Sequence, residues 1–232
     1  MKIPFLSNKF EARAAPIPDR VKAFLLGEDL NISNKAGVVV NEETAMRTSA
    51  VYACVRVIAE TVASLPLPLY KRLPRGKEKA TYHPLYTVLH DMPNSDMTSF
   101  SFRETMMTHL LLWGNAYAQI TRRGNQIVEL WPLHPAYIRI EREPVTNKLI
   151  YKYTSGTQEV IYTNEQILHI QGLSIDGVKG LSPISMARET IGLAQATEEF
   201  GSRFFSNGAR PGGILQHPGI VKDPERLRKS WE

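Results

Sequence analysis

Serine, histidine and cysteine are the side chains from which nucleophilic or metal chemistry would be built, and in this sequence each leads away from a catalytic site. The run Gly172-Leu173-Ser174-Ile175-Asp176-Gly177 has the outline of the sharp turn that exposes a nucleophilic serine. Its second glycine stands one place too far along, and no strand-turn-helix context surrounds Ser174. The histidines are His83, His90, His109, His134, His169 and His217; none falls in a His-Glu-x-x-His pattern, and with one cysteine no zinc quartet assembles from close pairs. His169 sits in an apolar strand-like run with no nucleophile or carboxylate placed beside it, so a hydrogen-bonded structural imidazole is expected, as for His109 on its helix. No glycine-rich run ends in Gly-Lys-Ser or Gly-Lys-Thr, which removes that route to a nucleotide phosphate. Cys54 lies in an apolar helical pattern and is expected to be a small buried hydrophobe. The sequence therefore predicts no catalytic residue, no cofactor and no metal site, and a protein that is not an enzyme.

The elements that would position any site are those of an ordinary folded chain. A length of 232 residues suits one large domain, or one domain with extensions. With 43% hydrophobic and 22% charged residues, neither disorder nor a disulfide scaffold is indicated. No apolar run reaches the ~18 to 20 residues of a membrane-spanning helix, and Met1 to Phe10 lacks the apolar centre of a secretory signal, so a cytoplasmic chain without membrane contact is expected. Lys and Arg outnumber Asp and Glu by 28 to 23, a formal charge of +5, compatible with contact to a polyanion. The densest cluster, Lys71-Arg72-Leu73-Pro74-Arg75-Gly76-Lys77-Glu78-Lys79, reads as a solvated hairpin end, with a DNA patch as the alternative. Aromatic and basic residues interleave from Trp113 to Arg123 and from Tyr137 to Arg142, the alternation of half-exposed strands.

Residues 1–40 are broken by Pro4, Pro16 and Pro18 and read as an extension. Asn41-Glu42-Glu43-Thr44 is a polar start for a helix ending before Pro66, with Val51, Cys54, Val55, Ile58 and Val62 on its apolar face. Leu67 to Tyr70 suggests an edge strand, and a short helix begins near Pro84 with Leu85, Val88 and Leu89 inward. Ser101 and Glu104 have capping-box spacing for the next helix, which carries Phe102, Met106, Leu110 and Trp113 and closes at Gly114-Asn115. From Ala116 to Tyr162 an antiparallel meander is predicted, with turns at Arg123-Gly124-Asn125, Thr146-Asn147-Lys148 and Ser155-Gly156-Thr157, and Ile167 to Ile170 makes a last strand. Ser182 and Pro183 then open a helix running to Asn207, ~37 Å at about 1.5 Å per residue, stopped by Gly208. Gly192 and Gly201 inside it each cost about 1 kcal/mol against alanine. They admit close approach by a neighbour, from the same chain or another subunit. Lys222 to Glu232 reads as a helix just beginning.

Six segments in this order resemble one family. They are Ala45-Met46-Arg47-Thr48-Ser49-Ala50-Val51-Tyr52-Ala53-Cys54-Val55-Arg56-Val57-Ile58-Ala59 with Ser64-Leu65-Pro66-Leu67; Leu112-Trp113-Gly114-Asn115-Ala116-Tyr117; Leu130-Trp131-Pro132-Leu133-His134-Pro135; Ile167-Leu168-His169-Ile170; Gly180-Leu181-Ser182-Pro183-Ile184; and Phe204-Phe205-Ser206-Asn207-Gly208-Ala209-Arg210-Pro211-Gly212-Gly213-Ile214-Leu215. The chain resembles portal proteins of tailed phages, in the branch typified by phage Hong Kong ninety-seven.

The resemblance implies an α+β fold in which N-terminal helices pack on the meander as a wing-type domain, 41–180, followed by a stem-type helix, 181–208, and the start of a clip-type region, 209–232. The family's pattern continues past Glu232, so a C-terminally truncated member is implied. A dodecameric ring at one capsid vertex is implied as well, in the virion and, during assembly, in the host cytoplasm. Its partners would be further copies of itself, the terminase, capsid, head-completion and tail proteins, and double-stranded DNA held without sequence preference. Arg203 and Arg210 are the expected channel or stem-clip contacts, and Gly192, Gly201, Phe204 and Phe205 the expected subunit contacts. Two other readings stand beside this one: a non-enzymatic α+β binding module of another virion or tail component, and a hydrolase built on Ser174 or His169.

Overall fold

The computed structural model describes residues 34–144, 146–209 and 225. The expected extension before Asn34 and the clip-type region from Arg210 onward, Glu225 apart, lie outside the described residues.

The polar start at Asn41 opens two helices instead of one. Asn41 caps α1 (Glu42–Ala45) reciprocally: its side chain accepts from the Thr44 N–H at 2.7 Å, and its own N–H donates to the Thr44 hydroxyl at 2.8 Å. After a turn, α2 (Ser49–Ser64) buries Val55, Ala59 and Ala63. This corrects the expected face in part: Val55 is buried and Val51 packs against the core, but Cys54 is exposed and Ile58 and Val62 stand on the rim at 42% and 38% exposure. The small side chains let α2 lie close to its neighbour, so the large apolar residues one turn-edge away are displaced outward.

Strands β1 (Tyr70–Arg72) and β2 (Lys77–Lys79) form the hairpin expected at the basic cluster. His83 caps α3 (Pro84–His90) through Nδ1, and Thr98 caps α4 (Ser99–Trp113), accepting from the Ser101 N–H at 3.2 Å. The capping box expected at Ser101 is thus three residues late. Gly114 ends α4 in the left-handed region at φ 72°, and a Cβ there would stand 2.0 Å from the Leu181 carbonyl oxygen, so only glycine fits both the turn and the contact.

The meander divides into two sheets. β3 (Asn115–Arg123) lies between β4 (Gln126–Leu133) and β8 (Ile167–Gln171), all antiparallel, while β5 (Ile138–Arg142), β6 (Leu149–Ser155) and β7 (Gln158–Thr163) form a second sheet of three. A single 3₁₀ turn at Pro135–Tyr137 carries the chain from one to the other. Because successive side chains alternate, β3 sends Ala116 and Ala118 to a core with Val88, Phe102, Met106 and Leu130, and Tyr117 to a core with Leu133, Ile138, Tyr151 and Ile167. Helices cover one side of β3 and the second sheet the other. The α+β class with helices on an antiparallel sheet is as expected.

The long helix is interrupted. Ser182 caps as predicted, accepting from the Ser185 N–H at 3.2 Å and donating to the Leu112 carbonyl at 2.7 Å, but α5 stops after Pro183–Met186. Ala187, at φ −97° and ψ 9°, breaks the helical ladder before α6 (Arg188–Ser206). Ile184 and Ile191 join Val40, Ala45, Val55 and Leu112 in a third core, which fastens these helices to α1, α2 and α4.

Candidate functional site

His169 and Ser174, the two groups from which a hydrolase could be built, are engaged in structural hydrogen bonds. His169 stacks on Tyr117 with centroids 4.5 Å apart, its Nε2 lies 3.1 Å from Asn115 Oδ1, and its Nδ1 lies 3.4 Å from the Tyr151 hydroxyl. Burial pushes its pKa down to about 4, so the ring is neutral at pH 7 with both nitrogens engaged. Asn115 also accepts from the Gly180 N–H at 2.7 Å and donates to the Gly180 carbonyl at 2.9 Å, tying β3, β8 and the segment before α5 together. Ser174 Oγ lies 2.7 Å from the Lys179 carbonyl and 2.9 Å from Asp176 Oδ1, and accepts from the Gly177 N–H at 3.0 Å. Burial alone would raise the Asp176 pKa, but the N–H groups of Lys179 and Val178 and the Ser174 hydroxyl hold it below its ordinary value. That geometry is a closed loop turn in which the Ser174 hydroxyl is held by the turn's own groups.

His109 departs from expectation. Its ring meets Trp113 and His134 edge-on at 5.7 and 5.6 Å, and its buried Nδ1 has no hydrogen-bond partner among the described residues. Burial, then the nearby His134, push its pKa down to about 4. Among the described residues no group of three or more His, Cys, Asp or Glu side chains could hold a metal ion.

The surface with the character of a binding site is on α6. Its inner face carries Ile191, Gly192 and Gln195, whose side-chain amide donates to the Thr44 carbonyl at 2.7 Å. The outer face carries Leu193, Phe200 and Phe204, exposed by 64%, 72% and 41%. With Thr197 they recur at steps of four, three and four residues, which places them in one stripe. Phe200 and Phe204 stack at 6.3 Å, and Phe205, also exposed, meets Phe204 at 5.8 Å.

The two glycines singled out in the sequence have different surroundings. A Cβ at Gly192 would fall 1.3 Å from Asn34 Nδ2, so the neighbour it admits is Asn34 of the same chain. At Gly201 nothing among the described residues stands within 4 Å, so the position is open beside the stripe. Arg203 is paired with Glu199 one turn earlier and is largely solvent-exposed. Arg210 lies outside the described residues. Sequence reasoning reached Phe204 and Phe205 but missed Leu193 and Phe200, although their spacing was there to be read.

Residues 49–232 match the family model described as phage portal protein. The chain belongs to the phage portal protein family. This portal-family chain is 34% identical over 222 residues to the probable portal protein of Streptomyces phage phiC31, covering 88% of this chain and 48% of the relative. It is 33% identical over 179 residues to the portal protein of Enterobacteria phage HK97, covering 76% of this chain and 42% of that one. A chain in the solved neck of an empty gene transfer agent particle shares its fold, with a TM-score of 0.63 at 24% identity over 82% of this chain and 54% of the other. The chain thus spans about half the length of the curated relatives it matches. The resemblance first drawn from the six segments is borne out.

Proposed function

We propose that this chain is a portal subunit whose copies close into a ring around a DNA passage at the capsid vertex, serving packaging and ejection. The observation that carries the reading is the two-faced helix α6. One side is locked into the subunit core by Ile191 and Gln195, and the other offers Leu193, Phe200 and Phe204 to solvent. Burying one such side chain contributes roughly 1.5 to 3 kcal/mol, so a repeated contact through this stripe and the open position at Gly201 supplies a substantial part of ring closure. A ring is built from head-to-tail contacts that use two different patches on each copy, and α6 would supply one of them.

In this reading residues 41–180 form the wing, the helices from Ser182 to Asn207 the stem, and Ala209 onward the clip. Terminase, head-completion and tail proteins would dock on the ring, in the virion and earlier in the host cytoplasm. No chemistry is asked of the chain: His169 and Ser174 serve as structural hydrogen-bonding groups. Arg203, near the end of α6, would face the passage near the stem-clip junction. An exposed i, i+4 pair such as Glu199–Arg203 is worth only a few tenths of a kcal/mol, so the guanidinium exchanges readily onto a passing phosphate.

Electron microscopy of the purified protein tests this reading. Closed rings of defined rotational order are expected, and Phe200→Ser with Phe204→Ser should leave monomers that melt as the parent does. A protein that stays monomeric at every concentration overturns the proposal in favour of a simple binding module.

A further inference from the structure

The hairpin register sorts the basic cluster by sign. Tyr70 pairs with Lys79, Lys71 with Glu78 and Arg72 with Lys77, and all of these residues are exposed. Side chains two apart share a face, so Tyr70, Arg72, Lys77 and Lys79 lie on one side of the ribbon and Lys71 with Glu78 on the other. The hairpin's one acid therefore meets a cation on the reverse face, and the front carries a single sign.

Arg72 and Lys77 stand directly opposite one another, an arrangement of like charges that disfavours the pairing it sits in. Among the described residues no carboxylate lies within ion-pair distance of Arg72, Lys77 or Lys79. Lys77 instead sits over the Tyr70 ring, its Nζ 4.5 Å from the centroid. Protection of an exposed strand edge explains why a hairpin is charged, but lysine alternating with glutamate would do that equally well without the repulsion.

We propose that the front of this ribbon is a binding site for the phosphate backbone of nucleic acid, carried by Arg72, Lys77 and Lys79. An acidic protein surface is the less suitable partner. Protein interfaces bury an apolar or aromatic centre and are depleted in lysine, whereas this face is almost wholly cationic donors with one tyrosine. Contacts of this kind position a polyanion without reading its sequence. The inference does not depend on ring formation, because the ribbon's charge is set within one chain.

Fluorescence anisotropy with a labelled duplex of about 30 base pairs, titrated with the full chain at roughly 50 to 200 mM salt, tests it. Neutralising three phosphate-contacting cations, Arg72→Gln, Lys77→Gln and Lys79→Gln together, should lower the slope of log affinity against log salt by about 2.7, at about 0.9 per contact. The substitutions fall on exposed positions, and circular dichroism confirms the fold. A second triple, Arg123→Gln, Arg139→Gln and Lys148→Gln, removes the same charge elsewhere and should leave most of the slope intact. Equal losses in both triples overturn the site, since net charge alone would then account for binding. Absence of duplex binding by the parent chain at the lowest salt overturns it as well. Retention of duplex binding by the ribbon triple, with loss of binding to poly-glutamate, overturns it in favour of an acidic polypeptide.

Discussion

His169 and His109 have the same depressed pKa for one shared reason, removal from water, and very different surroundings. His169 is bracketed by Asn115 and Tyr151, while His109 has a buried nitrogen without a hydrogen-bond partner among the described residues. In the unfolded chain each imidazole titrates near 6.5, and in the folded chain near 4. The unfolded state therefore takes up protons in that window that the native state refuses. The contribution is fully present above about pH 6.5 and is lost as pH falls toward 4. Thermal melts should show a falling Tm across this interval. His109→Phe, which keeps a ring against Trp113 and His134 without a titrating nitrogen, should make that fall shallower; an unchanged pH profile would show that His109 does not carry it. The sequence excluded both histidines from catalysis because no nucleophile stood near them. It could not show that Asn115, distant in the chain, would close the hydrogen bonds of His169.

At the scale of the helix, Gly192 and Gly201 looked equivalent in the sequence, and the tertiary contacts separate them. Gly201→Leu places a better helix former in open space, so it should raise the stability of the isolated subunit by about 0.5 to 1 kcal/mol while obstructing the close approach of a neighbouring copy. Gly192→Leu drives a side chain into Asn34 and should destabilise the subunit by about 1 to 3 kcal/mol. Denaturant unfolding of both variants, alongside electron microscopy of their assemblies, distinguishes an interface role from an internal one. A Gly201→Leu protein that forms normal rings removes Gly201 from the contact. The apolar face of α2 shows the limit of periodicity. Val51, Cys54, Val55, Ile58 and Val62 form a regular stripe, yet the buried face runs through Val55, Ala59 and Ala63, where the two alanines permit the closer approach to α4.

Across the whole molecule, β3 is the strand on which the architecture turns, with both faces covered and both edges paired. Hydrogen exchange should find the amides of Ala116, Tyr117 and Ala118 among the slowest, near the rate of global unfolding, and those of the β1–β2 ribbon among the fastest. Rapid exchange in β3 under native conditions would contradict this layering. The strands themselves were legible from alternation and from glycine or asparagine turns, and so were the caps at Asn41 and Ser182, because those signals are local. The pairing of β8 with β3, the division of one meander into two sheets, the break at Ala187 and the sign-sorted face of the hairpin were not legible. The strand pairing and the division into two sheets are decided by which surfaces lie against each other across long stretches of chain, and the hairpin face by a register that composition does not specify, because a linear pattern records a side chain's period without recording the neighbour it will meet. Family membership, by contrast, rests on local segments in a fixed order, which is why the sequence alone was enough to reach it.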